Sequence, residues 1–198
     1  MIELKFSLAD ARKLEQFRQA APKEAADAQR RAINKTLRWL RTHMSRAISR
    51  RDRIAVTAVR QRLSAYAIRP GGKQGKLWLG LDPLEASRLG KVRQTATGVS
   101  VAGRRFRGAF YQKVYGGKPD VWIRTHSKHF STSAYPGVAM GGPAIDEGMS
   151  GRFPVAKVKV SIEDVREEFE QWVDRAAERL AVVLQQEMRY AMMKAIQR

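Results

Sequence analysis

The sequence predicts an α+β protein: N-terminal helices, one of them long, basic and amphipathic, a small antiparallel β-sheet of about four to five strands, and a long C-terminal helix packed on that sheet. Three observations carry this prediction. From Pro22 the chain runs about thirty residues under a helical apolar period with no breaker. Residues 75–160 then switch to short aromatic and β-branched runs separated by Gly, Pro and Asp. Residues 161–198 return to a helical period. One domain, 1–198, is expected, with a helical part (1–70), a sheet part (75–160) and a closing helix (161–198).

The elements follow in order. Ile2-Glu3-Leu4-Lys5-Phe6 alternates as a short strand, and Ser7 with Asp10 resembles a capping box. Leu8, Ala11, Leu14 and Phe17 then recur at helical spacing up to Ala20. Pro22 stands where a first helical turn tolerates proline. Beyond it Ile33, Leu37, Leu40, Met44 and Ile48 form one apolar stripe, with Arg31, Lys35, Arg38 and Arg46 roughly opposite. A further short helix is predicted over residues 54–68, ended by Arg69-Pro70-Gly71-Gly72. Residues 76–81, 97–101, 106–115 and 120–125 read as strands, with Gly116-Gly117 turning between the last two. Residues 131–152 form a long loop dense in Gly and Ser, of the kind that is functional or orders on a partner. Residues 153–162 alternate as a final strand.

Ser161 caps the closing helix. Ile162, Val165, Phe169, Trp172, Val173, Ala176, Leu180, Val183 and Leu184 gather on one face. Glu163, Glu167, Glu170, Asp174 and Glu178 lie on the other, and acids in the first turns suit the helix dipole.

The formal net charge is +19 on 198 residues, and it is unevenly placed. Residues 1–70 contribute +11 and residues 71–160 contribute +10, whereas 161–198 contribute −2. Such a field concentrates polyanions, nucleic acid above all, through its phosphates. With 43% hydrophobic residues the chain can nonetheless build a core. It has no cysteine, which removes disulfides and cysteine-based metal sites or nucleophiles and fits a reducing compartment. No signal-peptide run and no stretch of about 18 apolar residues occurs, so a soluble intracellular protein with no membrane contact is expected.

Catalytic constellations are sparse. His126 and His129 could ligate a metal together, but with no carboxylate cluster beside them they read better as polar histidines near a loop. No phosphate-loop, Gly-x-Ser-x-Gly or dinucleotide-binding pattern is found. A phosphodiesterase would need closely placed acidic metal ligands. Asp82, Glu85 and Asp120 are the candidates, and turn-forming or solubilising roles suit them better. Residues 30–62 could form a helix-turn-helix, yet the second helix offers mainly Arg60, Gln61 and Arg62. Trp39, Trp78, Trp122 and Trp172 are spread along the chain as core or interface anchors, not as a stacking platform. No enzyme activity, cofactor or metal is expected.

Residues 32–49, 60–68, 75–90 and 97–110 resemble, in matching order, the minor tail protein Z family of long-tailed bacteriophages and prophages, a likeness that covers most of the chain from about Ala32 through the strand region to the closing helix. The clearest part is Leu77, Trp78, Leu79, Gly80, Leu81 and Pro83, followed by Gly98, Val99, Val101, Gly103, Phe106, Gly108 and Phe110. These are packing and turn residues, not a catalytic fingerprint. The resemblance implies a structural virion protein that completes the head-proximal end of the tail, at the joint through which DNA passes. It implies a homo-oligomeric ring, taken as a hexamer from the sixfold tail tube, with neck neighbours such as a tail terminator and a head connector. The protein would assemble in the host cytoplasm and touch genomic DNA non-specifically. The residues expected to face DNA or an interface are Arg31, Lys35, Arg38 and Arg46, then Arg104, Arg105 and Arg107. The alternative is a nucleic-acid-binding protein reading DNA or RNA through the basic helices at 30–62.

Overall fold

The helical periods become α1 (Leu8–Ala20) and α2 (Pro22–Asp52) in the computed structural model. The structure describes residues 1–3, 8–70, 72, 74–114, 117–131 and 154–196. The cap expected at Ser7, the turn residue Gly116 and the 131–152 loop beyond Ser131 lie outside the described residues. The fold is α+β: N-terminal helices, several small antiparallel sheets and a long C-terminal helix, α4 (Val165–Ile196), packed against α2. Two compact units divide it.

The first unit comprises Met1–Ala47, Arg60–Gly80 and Arg166–Arg198. Ile33, Leu37, Leu40 and Met44 of α2 are fully buried there, as their spacing demands. Ala25, Ala28 and Ala32 extend the buried stripe with side chains small enough for close helix approach. Phe169, Trp172, Ala176, Leu180, Val183 and Leu184 of α4 are buried too. Val173 is 45% exposed and does not belong with them, because its turn angle carries it off the stripe beside Trp172. The acids Glu167, Glu170, Asp174 and Glu178 stand exposed as expected. Trp39 meets Trp172 with ring centroids 5.7 Å apart, and Arg31 reaches Glu187, so the two helices run antiparallel.

The short helix after α2 ends earlier than its apolar pattern suggested. α3 (Val56–Arg62) gives way to β2 (Leu63–Tyr66), which pairs antiparallel with β3 (Lys76–Leu79). β1 (Ile2–Glu3) joins the far side of β3. The four residues of β2 satisfy a strand pattern as well as a helical one, and the β3 ladder decides between them. Arg41 of α2 donates to the carbonyls of Leu63 and Arg60, and the Asn34 amide exchanges two hydrogen bonds with the Ile68 backbone. These contacts fasten the sheet to α2.

The second unit comprises Ile48–Val59 and Leu81–Val165. The single expected sheet is divided here. β5 (Val92–Thr95), β6 (Gly98–Val101) and β7 (Arg104–Arg107) form one three-stranded antiparallel sheet. β8 (Ala109–Gln112), β9 (Asp120–Arg124) and β10 (Val155–Lys157) form another in the order β10-β9-β8. β4 (Leu84–Glu85) pairs with β11 (Lys159–Val160). The run expected as one strand over 106–115 breaks at Gly108, whose φ of +72° turns the chain. The final strand breaks at Val158, which is fully buried and bonds instead to Val121 and Ala86.

Two backbone features set the geometry of the β5-β6-β7 sheet. Ala102 and Gly103 adopt φ of +51° and +80°, the two-residue turn whose twist suits the hairpin between β6 and β7. Alanine is strained there, so Ala102→Gly is expected to stabilise the protein by about 1 kcal/mol. The check is a urea titration: the midpoint should rise at unchanged slope, and a lowered midpoint would contradict the account. Gly98, at the start of β6, has φ of +152° and its Cα faces the Phe106 carbonyl on β7.

Candidate functional site

The basic residues picked out by the sequence separate into two environments. On α2, Arg31 and Lys35 stand one turn apart and converge on one carboxylate of α4. Arg31 Nε lies 2.6 Å from Glu187 Oε2, and Lys35 Nζ lies 2.5 Å from Glu187 Oε1. The Arg31 guanidinium also sits 5.5 Å from the centre of the Tyr190 ring. Glu187 itself is buried. Burial alone would raise its pKa, but hydrogen bonds from Lys35 and Arg31, with their positive charge, hold it below the usual carboxylate range. Arg31 and Lys35 therefore border the α2–α4 seam instead of lying opposite it. Arg38 and Arg46 are exposed, with Arg38 donating to the Asn34 carbonyl one turn back.

The sequence contained a signal for Glu187. It falls at the stripe spacing set by Leu180, Val183 and Leu184, one turn beyond the last of them, where an acid demands a cation on the facing helix. The acids read from the sequence were those of the outer face.

In the second unit the GRRFRG cluster is split by strand periodicity. Arg104 is half-buried and donates to the Asp52 carbonyl, 3.0 Å away, at the C-terminus of α2. That carbonyl carries the negative end of the helix dipole, so Arg104 serves the fold. Arg105 and Arg107 point to the opposite face and are exposed. The antiparallel register places Arg93, Ser100 and Arg105 side by side across β5, β6 and β7, with Thr95, Gly98 and Arg107 in the next row of that face. The intervening rows, Val92-Val101-Arg104 and Gln94-Val99-Phe106, face the other way, and Val99, Val101 and Phe106 are buried. Arg93 was not singled out from the sequence, because only the register brings it opposite Arg105.

These residues line a concavity of about 360 Å³. Gly98 contributes no side chain to its floor. Gln94, in a row of the opposite face and itself exposed, anchors the region by donating to the Gly98 carbonyl at 2.9 Å and accepting from the Tyr111 amide at 2.8 Å. Arg93, Arg105 and Arg107 have no ion pair among the described residues. The arrangement presents a cluster of guanidinium donors beside hydroxyls with no carboxylate among the residues lining it.

The acids considered for metal binding are used otherwise. Glu85 and Asp120 both pair with Lys157 Nζ, at 3.1 and 3.2 Å. Burial disfavours the Lys157 charge, yet hydrogen bonds to Glu85 and Asp120 and their charges raise its pKa above the ordinary lysine value. Its ammonium also lies 5.4 Å from the Trp122 ring centre. Asp82, His126 and His129 are exposed. No group of three or more His, Asp or Glu able to hold a metal occurs among the described residues. Nor is any helix among them long and apolar enough to cross a membrane.

The tryptophans have individual roles. Trp122 and Trp172 are buried and donate to the Gln112 carbonyl and to Glu168. Trp39 packs between Trp172 and Arg179, whereas Trp78 is 45% exposed on β3.

No family model, no curated protein and no solved structure matches the chain.

Proposed function

We propose that the protein is a structural component of the head-proximal end of a phage tail, forming part of the joint around the DNA that passes from head to tail. The resemblance of residues 32–110 to the minor tail protein Z family motivates this reading. The observation that carries it is the disposition of charge. Arg31 and Lys35 are both tied to the single carboxylate of Glu187, while Arg93, Arg105 and Arg107 remain exposed and unpaired among the described residues. A protein that surrounds DNA without reading it needs such a surface, because phosphate contacts position a duplex and do not specify its sequence. Small antiparallel sheets flanked by helices suit a subunit that repeats one interface around a ring, here taken as a hexamer. Its neighbours would be a tail terminator and a head connector, its final place the virion, and its role free of catalytic turnover and of any cofactor.

The alternative, sequence reading through residues 30–62, draws less support. Arg41 is held by the Leu63 and Arg60 carbonyls and Arg31 and Lys35 by Glu187, which leaves Arg38 and Arg46 as the exposed arginines among those first picked out on α2. Electron microscopy of particles made without the protein tests the main reading. The expected result is a defective head–tail joint and loss of infectivity; intact, infectious particles would refute it.

A further inference from the structure

We propose that the exposed face of the β5-β6-β7 sheet is a phosphodiester-binding surface, on which Arg93, Arg105 and Arg107 grip the backbone of duplex DNA. This deepens the tail-joint reading by naming where the DNA rests, and it stands or falls by a separate measurement. Four features of the face argue for it.

The first is donor geometry. Arg105 and Arg107 are two residues apart on β7, so they emerge on one face roughly 7 Å apart. Arg93 stands across β6 from Arg105, roughly 10 Å away. The three guanidiniums can therefore reach successive phosphates, each through a planar pair of N–H donors. The second is the hydroxyl between them. Ser100 lies in the row joining Arg93 to Arg105, and its hydroxyl makes no hydrogen bond to another described residue, so the O–H is available to a phosphate oxygen. The third is the concavity itself, about 360 Å³, which Arg93, Arg105 and Arg107 line together with Thr95, Thr97 and Ser100 and with no carboxylate.

The fourth concerns what the face lacks. Neither Trp nor Tyr stands in the two rows that carry the arginines, so there is no platform on which an unpaired base would stack. The amide that could read a base edge, Gln94, belongs to a row of the opposite face and is already bonded, donating to the Gly98 and Thr95 carbonyls and accepting from the Tyr111 amide. A basic, hydroxyl-bearing face with no stacking group and no free amide fits a duplex backbone better than a single strand. Arg104 is excluded from this surface by its bond to Asp52, although it adjoins Arg105 in sequence.

The test uses the purified full chain and a labelled random-sequence duplex of about 20 base pairs, with binding followed by fluorescence anisotropy across a salt series. The triple variant Arg93→Ser, Arg105→Ser, Arg107→Ser should bind at least tenfold more weakly at about 0.1 M salt. Its log–log salt slope should be shallower by about 2.7, the value for three lost phosphate contacts. A control that removes the same charge elsewhere, Lys113→Gln, Lys118→Gln, Lys128→Gln, should change the slope by less than about 1. Equal losses in the two triple variants would mean a diffuse field and overturn the assignment. So would tighter binding of a single strand of the same sequence, or displacement of the duplex by polyglutamate at equal charge concentration. Ser100→Asp provides a second reading should the triple variant fold poorly; it places one negative charge at the centre of the face and must also weaken binding. Should infectivity survive complete loss of the protein while these binding results hold, the tail-joint reading fails and the DNA-binding face remains.

Discussion

Gly98→Ala is expected to destabilise the protein by about 3–4 kcal/mol and to dismantle the β5-β6-β7 sheet. A Cβ placed on Gly98 would lie 2.1 Å from the Phe106 carbonyl oxygen and 3.0 Å from Arg107 Cα. Both neighbours are backbone, so no side-chain rotation relieves the clash. Its φ of +152° adds strain, because a side chain rarely adopts that region. The two strands must separate, and with them go the Gly98–Arg107 and Val99–Phe106 pairs that hold Arg107 beside Arg105. Chemical denaturation should show the loss as a lowered midpoint, and amide exchange should quicken in residues 98–107 ahead of α2 and α4. DNA affinity should fall with it, even though no arginine has been altered. Wild-type exchange in those strands would show that the sheet accommodates the methyl group, contrary to the geometry described.

Removing the carboxylate at the α2–α4 seam should have the next largest effect. Glu187→Gln is expected to cost about 2 kcal/mol at neutral pH. Arg31 and Lys35 retain partial access to water, at 35% and 54% side-chain exposure, so the loss stays below that of stranding a fully buried charge. The pH dependence gives the sharper signature. The folded-state pKa of Glu187 is depressed, so its contribution is fully present above the unfolded value of about 4.3 and is lost as pH falls through the folded value. The stability gap between wild type and Glu187→Gln should therefore be constant near neutrality and close as the solution is acidified below about pH 4. A gap that stays unchanged between pH 6 and pH 3 would mean that the ionised carboxylate is not what stabilises the seam.

Several parts of the fold were legible because they repeat locally. Five residues spaced along one face of α2 were enough to mark its buried stripe, and every one of them is buried. The closing helix showed its acidic outer face equally plainly. Val173 misled there, since hydrophobicity beside a stripe does not place a side chain within it, and so did the expected cap: α4 begins at Val165, and the Ser161 hydroxyl accepts from the Glu163 amide in the turn before it. The sheets were less legible. Residues 63–66 changed from helix to strand because β3 offers a ladder, and a partner ten or more positions away leaves no trace in a four-residue pattern. The division at Val158 has a similar origin: its amide bonds to Val121 while its carbonyl accepts from Ala86.

The same contrast governs the candidate site. By itself the sequence determined the α+β class, the faces of the long helices and the excess of positive charge, all of which follow from composition and short-range period. The tertiary structure decided which cations remain open. Arg31 and Lys35 lose their freedom to Glu187, more than 150 positions away. Arg104 is separated from Arg105 by the strand's two-residue alternation and bonded to the end of α2, while Arg93 joins Arg105 through the register of β5, β6 and β7. The physical reason is that charge is a property of each residue, whereas neutralisation is a property of pairs. Which pairs form depends on register and helix packing, which a linear pattern does not contain.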